Sequence, residues 1–67
     1  MKLRVNGEDR ILDKPLSTVG QVLDHFGVPW VRAAVELNED AVDPGLFDKT
    51  PVSDGDRIEI VSFVGGG

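Results

Sequence analysis

Hydrophobic positions alternate with polar ones near both ends of the chain, and between them they fall at helical spacing. Leu3 and Val5 alternate with charged neighbours, and Asn6-Gly7 follows with the residue types that tolerate the positive φ angles of a tight hairpin. An antiparallel hairpin over LRVNGEDRIL is expected. A loop of even length returns Leu12 to the face of Leu3 and Val5 and turns Ile11 away. Pro15, which has no amide proton for a ladder, ends the strand.

Thr18 followed by Gln21 makes a capping-box pattern, and Val19, Val22, Leu23 and Phe26 then occupy i, i+3, i+4 and i+7 on one helical face. A short amphipathic helix of about two turns is predicted. Gly27 stands at its left-handed C-cap position and Pro29 prevents its continuation. Gly20 inside the helix costs about 1 kcal/mol, which packing must offset.

VRAAVELN alternates again, with Val31, Ala33, Val35 and Leu37 expected inside and Arg32, Ala34, Glu36 and Asn38 outside. Asn38-Glu39-Asp40 turns into a short Ala41-Val42 segment, and in the following loop Leu46 and Phe47 are expected to plug the core edge. Asp54-Gly55 turns the chain once more into RIEIVSFV, where Ile58 and Ile60 alternate with Arg57 and Glu59. The order strand, strand, helix, strand, short strand, strand fits an α+β fold: one mixed sheet of four to five strands with one main helix packed on one face.

Length changes this picture by limiting what the fold can hold. With 67 residues there is one small core, and a deep substrate cleft would consume much of it. Cysteine is absent, so disulfides, thiolate nucleophiles and the usual zinc spacings are excluded. A net charge of −5 opposes nucleic-acid binding, and no run is apolar enough to span a membrane. The opening MKLRVNGEDR lacks a secretory h-region, so a cytoplasmic protein is expected.

The candidate chemistry lies in the ending VGGG. A terminal carboxylate, with a reference pKa of ~3.3 to 3.7, is an anion at neutral pH and acylates nothing until activated. Glycines carry no Cβ to collide with the walls of a partner's catalytic channel, and four extended residues reach roughly 13 to 14 Å. The same ending is also compatible with an inert linker.

The segments VNGE (5 to 8), STVGQVL (17 to 23), AVELN (34 to 38) and above all DGDRIEIVSFVGGG (54 to 67) resemble the ThiS sulfur carriers of thiamine biosynthesis, a ubiquitin-like β-grasp family, over essentially the whole chain. The resemblance implies a β-grasp roll over residues 1–64, its first and last strands side by side, and a flexible glycine tail at 65–67. It implies that the Gly67 carboxyl is adenylated by an E1-like, ThiF-like adenylyltransferase that consumes ATP. Sulfur from a donor such as a cysteine-desulfurase persulfide would make it a thiocarboxylate, which donates sulfur to a ThiG-like thiazole synthase. Gly66 completes the diglycine and Gly65 extends the arm. The chain would be a protein cosubstrate rather than an enzyme, with no cofactor of its own bound. The related molybdopterin-synthase small subunit often has prolines shortly before its diglycine, which SFVGGG lacks. A ubiquitin-like modifier joined to lysines through the same glycine begins with identical chemistry.

Docking needs a surface as well as an arm. If Ile58 and Ile60 face the helix, Val61 and Phe63 fall on the uncovered face beside Val64 and are candidate partner-binding residues. Two alternatives stand: the loop at 43 to 48 folds over them, or a bulge inverts the alternation. His25 is read as a solvated imidazole and Trp30 as a half-buried cap of the helix end. Glu39, Asp40, Asp43 and Asp48 form an acidic rim without the residue order of a calcium loop.

Overall fold

The computed structural model describes residues 1–63; Val64, Gly65, Gly66 and Gly67 lie outside the described residues. Its elements are β1 (Lys2–Val5), β2 (Glu8–Ile11), α1 (Val19–His25), β3 (Ala33–Leu37), β4 (Asp40–Val42) and β5 (Arg57–Ser62). Short 3-10 turns occupy Trp30–Arg32 and Pro44–Leu46. The five strands form one mixed sheet in the order β2-β1-β5-β3-β4, with β1 and β5 parallel and the other neighbours antiparallel. The expected adjacency of first and last strands is therefore present. No described helix is long and apolar enough to cross a membrane.

Asn6 and Gly7, at φ 51° and 82°, make the two-residue turn that pairs Val5 with Glu8. That even loop carries Leu12 into the core opposite Met1, whose terminal nitrogen donates to the Leu12 carbonyl at 3.0 Å, and leaves Ile11 exposed. The β3–β4 turn uses Asn38 and Glu39, both at positive φ, so Asp40 is already paired with Leu37. Asn38 is held there by bonds to the backbone of Arg57, donating its amide to the carbonyl at 2.7 Å and accepting through Oδ1 at 3.0 Å.

Helix α1 is short, and its ends are well satisfied. The amide of Gln21 donates to Thr18 Oγ1 at 3.2 Å, while Gln21 Oε1 accepts from the Ser17 amide rather than from Thr18 itself. The Val19 and Gly20 amides, which have no partner inside the helix, donate to the carbonyls of Thr50 and Phe47 at 2.9 and 2.7 Å. At the other end Gly27 (φ 71°) closes a Schellman motif, with Val28 N bonded to Leu23 O and Gly27 N to Asp24 O. Val19, Val22 and Leu23 are fully buried against Leu3, Phe47 and Ile58. Each such side chain contributes roughly 1.5 to 3 kcal/mol by leaving water.

Two core expectations are corrected. Val31 is 93% exposed, because the chain after Pro29 takes a 3-10 turn, closed by Arg32 N to Pro29 O, and becomes a strand only at Ala33. Leu46 is 49% exposed: it sits within the second 3-10 turn, whose rotation delivers Phe47 alone to the core. Trp30 also does more than cap a helix end. Its indole lies on Gly20, donates to Asp24 Oδ1 at 2.8 Å, and meets Phe47 edge-on with centroids 6.2 Å apart.

Gly20 is thereby explained. A Cβ there would stand 2.5 Å from Trp30 Cζ2 and 3.3 Å from the Phe47 carbonyl oxygen. The Gly20→Ala variant should therefore lose about 1 to 2 kcal/mol net, overpacking outweighing the ~1 kcal/mol that alanine gains in a helix. Urea unfolding followed by Trp30 emission measures both the loss and the displaced indole; a variant as stable as the parent would refute this account of the glycine.

Candidate functional site

The candidate site is the open face of the sheet where β5 approaches its end. β5 lies between β1 and β3, and its register with β3 runs without a break from Ile58 opposite Leu37 to Ser62 opposite Ala33. The Phe63 amide then donates to the Arg32 carbonyl at 2.7 Å. On the other side β1 stops at Val5, and a side chain takes over from it: Asn6 Oδ1 accepts from Ile60 N at 2.7 Å, and Asn6 Nδ2 donates to Ile60 O at 3.1 Å. The amide group thus extends the ladder by one step beyond the strand.

Because no bulge interrupts β5, the period of two persists, and the alternatives at Val61 and Phe63 are resolved. Ile58 is fully buried and Ile60 packs against the core, whereas Val61 and Phe63 are 57% and 58% exposed on the opposite face. The loop at 43 to 48 does not cover them. Asp43 Oδ1 accepts from Gly45 N at 2.9 Å, starting the turn that sends Phe47 to the core, and only Pro44 reaches the edge of the open patch.

Ala34 stands directly opposite Val61, and with Ala41, Pro44 and Phe63 these residues line a shallow apolar groove bordered by Glu36 and Glu59. Of these, sequence reasoning finds Val61 and Phe63 but misses Ala34, Ala41 and Pro44. Alternation puts Ala34 on the outer face, but nothing local says which residue of another strand stands beside Val61. The other sequence candidates are dispersed. His25 is exposed, edge-on to Phe26 at 4.9 Å, and Glu39 pairs with Arg57 at 3.5 Å. Among the described residues no three His, Cys, Asp or Glu side chains converge as a metal site. What the described geometry offers is an exposed apolar groove with Phe63 at its end, a candidate docking surface. Gly67, Gly66, Gly65 and Val64 lie outside the described residues.

Side chains that face water at this site add little to the fold. Val61→Ser and Phe63→Ser should each shift unfolding free energy by no more than about 0.5 kcal/mol, while Ile58→Ala should cost about 2 to 5 kcal/mol. Denaturant titration of the three variants separates the faces of one strand; a large loss at Phe63 would show that it belongs to the core.

Comparison with known proteins agrees with this fold and gives the family. The model of the ThiS family matches residues 3–67. A thiazole synthase of Paramagnetospirillum magneticum is 42% identical over all 67 residues, which make up 20% of that protein, so the chain spans about a fifth of that relative. The sulfur carrier protein ThiS of Thermus thermophilus is 38% identical over 63 residues, 94% of this chain and 95% of that one. The crystal structure of the thiamine biosynthesis protein ThiS from Geobacter metallireducens superposes with a TM-score of 0.83 at 38% identity, covering all of both chains.

Proposed function

Because the chain belongs to the ThiS family, we propose that it is a sulfur carrier in thiamine biosynthesis, with Gly67 as the residue that holds the sulfur. The observation that supports the reading most directly is that the family match runs through Gly67, while the strand leading toward it presents a bare apolar face. The chemistry begins on a partner adenylyltransferase. There the Gly67 carboxylate attacks the α-phosphorus of ATP, pyrophosphate leaves, and the acyl-adenylate carries AMP as a good leaving group. The terminal sulfur of a donor persulfide displaces AMP, and a thiol reduces the resulting acyl disulfide to the thiocarboxylate.

Gly65 and Gly66 keep the approach free of side-chain bulk. Val61 and Phe63 form the docking surface, and Val64 is the third residue assigned to partner binding. Burying the first two contributes roughly 1.5 to 3 kcal/mol each before association costs are subtracted. Delivery is to a thiazole synthase, a reading supported by the thiazole synthase that contains a segment like this chain. The carrier acts as a cosubstrate in the cytoplasm, and the ATP is bound and consumed by its partner.

Incubation with the adenylyltransferase, ATP and a persulfide donor should give the mass gain of one oxygen replaced by sulfur, mapped to Gly67 by intact and fragment mass spectrometry. Deleting Gly67 should abolish it, and Phe63→Ser should slow it by roughly tenfold, as loss of one interface anchor does. No gain on the unaltered chain with active enzyme would overturn the reading.

A further inference from the structure

Glu36 and Glu59 are direct cross-strand partners on the open face. Side chains so placed have Cβ atoms about 4.5 to 5.5 Å apart, and like charges there work against the fold. Both residues are exposed, and neither has an ion-pair partner among the described residues. The cation nearest in register, Arg57, shares the face with Glu59, but it reaches Glu39 at 3.5 Å and stands opposite another cation, Arg4, in the parallel ladder. Glu36 and Glu59 share a shallow depression with Glu39 and Arg57, three carboxylates around one guanidinium, and beside them lies the apolar floor of Ala34, Val61 and Phe63. One guanidinium, already engaged by Glu39, leaves the two facing glutamates with excess negative charge.

We infer that Glu36 and Glu59 jointly receive a cationic side chain, a guanidinium or ammonium, which the thiazole synthase presents beside the apolar residue it seats against Val61 and Phe63. The inference rests on the sulfur-carrier reading and adds what the partner must bring. Two carboxylates side by side at the rim of an apolar groove match the two edges of one guanidinium, and the groove beside them lowers the local polarity in which the pair forms. The carboxylates set the orientation of docking, and the apolar floor supplies the attraction.

The test uses the full chain and a separately encoded thiazole synthase, with affinity measured from low to high salt for the parent, Glu36→Gln, Glu59→Gln and the double variant. Each single change should weaken binding at low salt by about fivefold or more and flatten its salt dependence. The thermal midpoint of the free variants should meanwhile rise by about 1 to 4 °C, because the cross-strand repulsion is gone. A purely structural role would move stability and binding in the same direction. Asp13→Asn, the same charge change outside the open face, should leave binding unaltered. If the Glu36 and Glu59 variants bind like the parent, or Asp13→Asn weakens binding as much as they do, the inference is overturned while sulfur loading of Gly67 stands. A parent chain that neither gains sulfur nor binds overturns both.

Discussion

The backbone ladder that holds β5 between β1 and β3 is the constraint on which the rest of the structure depends. The last strand in sequence is the middle strand in space. It is joined to β1 in parallel through Arg4 N to Asp56 O and Asn6 N to Ile58 O, and to β3 in antiparallel register over its whole length. Hydrogen-bonded on both edges, β5 cannot slip by one residue without moving Ile58 out of the core and Val61 into it. A strand fixed in this way gives the residues beyond Phe63 a defined point of departure. That is what the proposed docking beside Gly67 requires.

The helix is held by the loop as much as by its own turns. Its first amide groups donate to the carbonyls of Phe47 and Thr50, so the segment between β4 and β5 is fastened to the helix start by bonds the helix could not make internally. The same segment brings Phe47 under the Trp30 ring, which rests on Gly20. In a chain this short, one stretch of irregular backbone therefore satisfies the helix, fills the core and stays clear of the open face.

Those economies leave the sheet with two unlike sides. One is covered by the helix, and there Leu3, Val5, Ala33, Val35 and Ile58 join the core. The other carries ion pairs of little energetic weight, such as Lys2 with Asp9 at 3.5 Å, together with the groove at Val61 and Phe63. The separation of roles is sharpest along β5, where adjacent residues Ile60 and Val61 are both apolar but point to opposite sides. A mutation at Ile58 tests folding, and one at Val61 tests the proposed docking.

The sequence by itself determined every element whose signal is local. Asn6-Gly7 and Asp54-Gly55 specify turns through the φ angles they tolerate, Thr18 and Gln21 start the helix, Gly27 ends it, and strict alternation marks β3 and β5. The family resemblance also rested on contiguous residues, DGDRIEIVSFVGGG above all. Only the tertiary structure decided that Val31 and Leu46 face water, because alternation along the chain does not reveal the 3-10 turns at Trp30–Arg32 and Pro44–Leu46 that rotate them. It alone decided that Ala34 stands against Val61 and Glu36 against Glu59. Those pairs join residues more than twenty positions apart, and the alternation that places each on a face carries no information about register between strands. Register is set by which apolar residues must meet beneath the helix, a property of the assembled core and of no single segment.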